Sequence, residues 1–98
     1  MTDKDFINIK NISNFFSVIQ DETRLLILFA LREKPLCVNE IVKKINKSQS
    51  LISHQLVILK KNNLVEGVRK GNYIFYQLKD DCIEKIIDST AKHVFKEK

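Results

Sequence analysis

Apolar residues return along this chain at helical spacing, then at strand spacing, then at helical spacing again. Ile12, Phe15, Phe16 and Ile19 fall at i, i+3, i+4 and i+7, which predicts an amphipathic first helix. Asp21 reads as an N-cap, with Glu22 in the first turn where a carboxylate meets the positive end of the helix dipole. The stretch from Thr23 to Leu31 is apolar nearly all round, predicting a central, buried second helix. Pro35 blocks its continuation. A third helix is predicted from about Val38 to Ile45, with Ile41, Val42 and Ile45 facing inward. Its start, Cys37-Val-Asn-Glu40, has capping-box spacing with Cys in the usual Ser or Thr position.

After the turn Asn46-Lys47, Ser48 can cap a fourth helix running to about Asn62. Leu51, Ile52, Leu56 and Leu59 give it one apolar face, while Ser50, Ser53, His54 and Lys61 fall on others. From Leu64 the period drops to two. Leu64 to Val68 and Tyr73 to Leu78 are predicted strands, joined by Arg69-Lys-Gly-Asn72, with Ile74, Tyr76 and Leu78 sharing one face. Gly71-Asn72 tolerates positive φ, which makes the pair a hairpin. Asp80 or Asp81 then caps a last helix carrying Ile83, Ile86, Ile87, Thr90 and Val94 on one stripe. The predicted fold is mainly α with a β-hairpin wing, a winged helix-turn-helix in helices-hairpin-helix order with helices at both ends.

Composition narrows the function. Ninety-eight residues make a single domain, 1–98, and a chain this short gains much stability from dimerising. Seventeen Lys and Arg against 12 Asp and Glu give a formal charge of +5, which favours an anionic partner. The N-terminus is polar, and the longest apolar run, Leu25 to Leu31, is too short to span a bilayer. A cytoplasmic protein with no membrane partner is expected. Cys37 and Cys82 are then free thiols or metal ligands rather than a disulfide framework. No nucleophile–base spacing or phosphate-binding glycine loop is present, so an enzyme is not expected.

A short helix, a tight turn and a second helix with a polar outer face is the arrangement that enters a DNA major groove. Ser48, Gln49, Ser50, Ser53 and His54 lie at the start of the fourth helix, where Gln can pair bidentately with adenine and Ser can serve several bases. Lys43, Lys44, Lys47, Lys60 and Lys61 surround them with phosphate-seeking charge, and Arg69, Lys70 and Asn72 sit at the hairpin tip. The same charges also suit a solvated surface.

Gln20 to Leu28, Ser48 to Leu56 and Gly71 to Leu78 together resemble the ArsR (ArsR/SmtB) family of bacterial and archaeal repressors. The resemblance covers nearly the whole chain from about Ile12, and Ser48-Gln-Ser-Leu-Ile-Ser-His54 is its most specific part. It implies a homodimeric repressor that binds a palindromic operator on double-stranded DNA and leaves it on meeting an inducer. It puts Gln49, Ser50, Ser53 and His54 on the recognition helix and Arg69 to Tyr73 on the wing. One family metal site reads Cys-Val-Cys at the third helix, where this chain has Cys37-Val38-Asn39 and so one thiolate of two. Another reads Asp-x-His-x10-His-x2-(Glu or His), where this chain has Asp80, Cys82, His93 and Lys96, with Glu97 one residue on.

Cys82 and His93 are eleven positions apart, about three helical turns and roughly 16 Å, so they share a side of the last helix but cannot meet on one ion. An antiparallel partner helix would bring Cys82 of one subunit beside His93 of the other. Such ligands suit zinc, cobalt, nickel or cadmium as inducer. A cap at Asp80, first-turn packing at Cys82 and a surface His93 explain the residues equally well. A thiol-redox response, a constitutive repressor and a winged-helix protein-interaction module stay open as alternatives. The expected dimer interface is Ile12, Phe15, Phe16, Ile83, Ile87 and Val94.

Overall fold

The computed structural model describes residues 1–96. Its elements are α1 (Asp3–Ile19), α2 (Glu22–Ala30), α3 (Val38–Ile45), α4 (Gln49–Lys61), β1 (Val65–Lys70), β2 (Tyr73–Leu78) and α5 (Asp81–Phe95). Order and type agree with the sequence pattern. Helix starts follow their caps: the Asp21 carboxylate accepts from Arg24 N–H at 3.0 Å, Ser48 Oγ from Leu51 N–H at 3.2 Å and Asp80 Oδ1 from Ile83 N–H at 3.0 Å. At α3 the Glu40 carboxylate accepts from Cys37 N–H at 3.0 Å. That backbone bond is the main reason the Glu40 carboxyl is held below its ordinary range.

α1 begins well before its apolar periodicity does. Thr2 and Asp5 close a capping box: Asp5 N–H donates to Thr2 Oγ1 at 3.2 Å, and Thr2 N–H donates to Asp5 Oδ2 at 2.8 Å. Asp here takes the role usually given to Glu, so the polar N-terminal residues become helix.

The core gathers Ile27 and Leu28 from α2, Ile41 from α3, and Ile52, Leu56 and Leu59 from α4. Leu64, Val65, Ile83 and Ile87 complete it. α2 is less enclosed than its composition predicts, because Leu25 and Phe29 are half-buried and Leu26 is exposed. Ile83 and Ile87 were expected at a dimer interface, but at 8% and 2% exposure they belong to the chain's own core. The reason is α5's docking: its inner stripe packs inward, while Arg32, just past the end of α2, reaches Asp88 at 3.6 Å and lies over the Phe29 ring.

β1 and β2 pair antiparallel with Lys70 opposite Tyr73, leaving Gly71-Asn72 as a two-residue loop, shorter than the expected four. Gly71 supplies the positive φ of +63° at the first loop position. Arg69 and Lys70 therefore extend β1 instead of forming the turn. On the face that Ile74 shares with Tyr76 and Leu78, Ile74 is 42% exposed because the hairpin tip projects beyond the core. Leu36 and Tyr76 exchange both backbone hydrogen bonds, at 3.0 and 2.8 Å, tying the entrance of α3 to the wing. Among the described residues no helix is long and apolar enough to cross a membrane.

The Glu40 cap makes α3 pH-sensitive. A carboxyl lowered in the folded state stabilises fully above its ordinary value of 4.5, and the contribution disappears as pH falls through the folded value. The Tm advantage of the wild type over Glu40→Gln should therefore shrink on acidification through this range. An advantage independent of pH would contradict the assignment.

Candidate nucleic-acid interface

α3 and α4 are joined by residues 46–48. Asn46 takes the left-handed conformation (φ 57°, ψ 50°), which Asn tolerates better than other side-chain-bearing residues. It stops α3, and Ser48 at once restarts the chain as α4. At about 100° per residue, Gln49, Ser50, Ser53, His54, Val57, Lys60 and Lys61 occupy one arc of about 140° on α4. All seven are exposed. Ile52, Gln55, Leu56 and Leu59 fill the opposite arc and are buried. Ser50, Ser53, His54 and Lys61 thus share a single outer face.

Ser48 differs from its neighbours: its hydroxyl caps the helix and lies 3.5 Å from Ser50 Oγ, so its first role is structural. Val57, 66% exposed, stands in the middle of the polar arc. Sequence reasoning passed over it because an apolar residue on a helix reads as core. Its spacing of four from Ser53 and seven from Ser50 was the available signal. A methyl-bearing side chain there suits apolar contact with a thymine methyl group.

Charge is distributed unevenly. Residues 41–79 hold eight of the 17 basic residues and one of the 12 acidic ones, Glu66. Glu66 is occupied, with Lys79 Nζ at 3.6 Å from one oxygen and Gln77 Nε2 donating to the other at 2.7 Å. α1, α2, α3 and α5 each carry an acid in the first turn; α4 carries none. The positive end of its dipole is left uncompensated beside Gln49 and Ser50, and Lys60 and Lys61 supply charge at the other end.

Arg69, Lys70 and Asn72 are exposed on the wing. A shallow slot of about 250 Å³ separates the wing from the helices and is lined by Cys37, Gln49, Asn72, Tyr73 and Tyr76, among others. Gln49 and Asn72, from opposite ends of the candidate set, therefore meet at one groove.

The other candidates lie elsewhere. Cys37 is half-buried at the start of α3, and Cys82 and His93 are exposed on α5. Asp80 Oδ1 is committed to its cap, and Glu97 lies outside the described residues. Among the described residues no three His, Cys, Asp or Glu side chains of one chain come together as a metal site. Ile12, Phe16 and Val94 are each more than half exposed and Phe15 is half-buried. Ile12, Phe15, Phe16 and Ile86 line a nearly wholly apolar groove of about 390 Å³, and by helical spacing exposed Ile9 lies on the same side of α1.

A family model described as bacterial regulatory protein, arsR family, matches residues 21–67. An uncharacterized HTH-type transcriptional regulator of Methanocaldococcus jannaschii is 40% identical over 76 residues, covering 76% of this chain and 85% of the relative. A transcriptional repressor SmtB homolog of Synechocystis is 33% identical over 85 residues, covering 87% of this chain but 64% of its own length. A cadmium resistance transcriptional regulatory protein of Listeria innocua is 38% identical over 79 residues, covering 80% and 66%. The solution structure of a homodimeric winged helix-turn-helix DNA-binding domain from Mycobacterium bovis superposes with a TM-score of 0.84. At 19% identity, covering 96% of this chain and 87% of that one, it is a likeness of fold.

The basic frame around α4 predicts a defined salt response. Replacing Lys60 and Lys70 by Ala should flatten the slope of log K against log salt by about 0.9 for each phosphate these lysines neutralise, on random-sequence duplex DNA. An unchanged slope would place them away from the phosphates.

Proposed function

The chain belongs to the arsR family of bacterial regulatory proteins, and we propose that it is a homodimeric DNA-binding repressor of transcription. In this reading the outer arc of α4 reads base edges in the major groove of each half of a palindromic operator. The observation that carries it is the segregation on α4: hydrogen-bonding side chains and lysines on one arc, core on the other, with the surrounding segment almost free of carboxylates. Gln49, Ser50, Ser53 and His54 supply donors and acceptors for base edges. Lys60, Lys61, Arg69, Lys70 and Asn72 hold the backbone in register.

The apolar groove between α1 and Ile86 supports the dimer. A contiguous exposed apolar surface of this kind marks an interface, and a second copy sets the two α4 helices at half-sites about one DNA turn apart or a multiple of it. We assign Ile12, Phe15, Phe16 and Val94 to this interface. A docking module for protein partners would need an apolar outer face on α4, where Val57 is the one apolar residue. Replacing Ser53 and His54 together by Ala should weaken binding to the selected operator more than to random duplex. Equal loss on both would refute base reading.

For the inducer we infer a divalent transition metal held between two α5 helices. Cys82, Ile86 and His93 lie on one side of α5 by helical spacing, and Ile86 lines the groove assigned to the second copy, so the two ligands flank that seam. Asp80, whose second oxygen is outside the cap bond, and Cys82 of one chain with His93 of the other make a donor set suited to zinc, cobalt, nickel or cadmium. Lys96 stands where a fourth ligand would be expected, and a metal bound by this set keeps one position for water or Glu97. Cobalt added to the reduced dimer should give a thiolate charge-transfer band that Cys82→Ser abolishes, and should lower DNA affinity. If none of the four metals changes affinity, the inducer is not a metal.

A further inference from the structure

One buried polar side chain has no part in the interface described above. Gln55, 9% exposed, is the buried polar residue of the core among the described residues, and it sits on the inner face of α4, behind Ser53 and Val57. Arg24 Nη1 donates to its Oε1 at 2.9 Å. The same guanidinium donates through Nε to Val18 O at 2.6 Å. Val18 lies in the last turn of α1, where carbonyls lack intrahelical partners, and that turn carries no basic residue of its own. The Arg24 backbone N–H is in turn held by the Asp21 cap at 3.0 Å.

Arg24 therefore joins three elements with three directed bonds: the end of α1, the start of α2 and the back of α4. We propose that Arg24 and Gln55 are positioning residues that fix the rotation of α4 about its axis relative to the dimerising helix α1, and thereby set which bases its outer face can reach. The inference rests on the DNA-binding reading. Apolar packing alone does not supply this function, because Ile52, Leu56 and Leu59 contact their neighbours through non-directional surfaces. A hydrogen bond from a charged donor tolerates little displacement. With side chains reaching about 5–6 Å from the helix axis, a turn of roughly 20° moves the outer residues by about 2 Å. That is enough to break a base contact while leaving the core packed. A polar pair of this kind adds little net stability over an apolar one, so its contribution lies in geometry.

The test is a cycle of Arg24→Met, Gln55→Met and the double variant, on the full chain. The probes are a duplex selected by the wild type from a random-sequence pool and a scrambled duplex of the same composition, at one salt concentration. Dimer mass and Tm are measured alongside. Each single variant should keep its affinity for the scrambled duplex within about twofold and fall about tenfold in preference for the selected one. The double variant should be no worse than either single one, and Gln55→Glu, which keeps an acceptor for the guanidinium, should recover most of the preference. If a single variant does not fold because one polar group is left unpaired, the double variant, which removes both, must fold and show the reduced preference. Preference unchanged in the variants, falling in parallel with scrambled binding, or declining additively would overturn the proposal. A wild type that selects no duplex at all would instead overturn the DNA-binding reading, and this inference with it.

Discussion

α4 has thirteen residues and two surfaces that cannot be exchanged. Its inner arc, with Ile52, Leu56 and Leu59, joins the core and gives the helix its stability, since a helix this short is marginal in isolation. That burial is what frees the outer arc to carry serine, histidine, glutamine and lysine with no obligation to the fold. The elements around α4 hold this helix and leave its far side to solvent. α2 and α3 pack behind it, the Asn46 turn sets the angle at which it leaves α3, and the Ser48 cap fixes where it begins.

Electrostatics works on the same segment at longer range. The other four helices have acids at their first turns, and α4 does not. Combined with lysines at its far end and on the wing, this leaves residues 41–79 with eight basic residues and one acidic one in a chain whose net charge is only +5. The Leu36–Tyr76 pairing then keeps the wing in register with α3, so that Asn72 and Gln49 border the same slot. The basic residues of α4 and the wing, and the shape the two make together, are the features by which we propose that this side meets DNA.

Much of this was legible in the sequence, for physical reasons. The spacing of apolar residues pointed to five helices and two strands, and Asp21, Ser48 and Asp80 announced helix starts because their side chains satisfy orphan N–H groups. What escaped notice has equally specific causes. α1 starts at Asp3 because of a Thr2–Asp5 box that no apolar pattern signals. Leu36 pairs with Tyr76 as an isolated bridge, and one bridge has no period. Ile83 and Ile87 look like Val94 on a helical wheel, and only the docking of α5 separates core from surface. The burial of Gln55 carries no local signal, since its partner is a guanidinium thirty-one positions away.

The central claim is that the outer arc of α4, and not another face of the dimer, meets base edges. An amide-resolved NMR titration of the protein with its selected duplex tests this directly. The account predicts that the largest shifts map to Gln49, Ser50, Ser53, His54 and Val57, with a second group at Arg69 to Asn72, while Phe6 to Phe16 stay where they are in the free dimer. Perturbations centred on α1 or α5, with α4 unmoved, would contradict it.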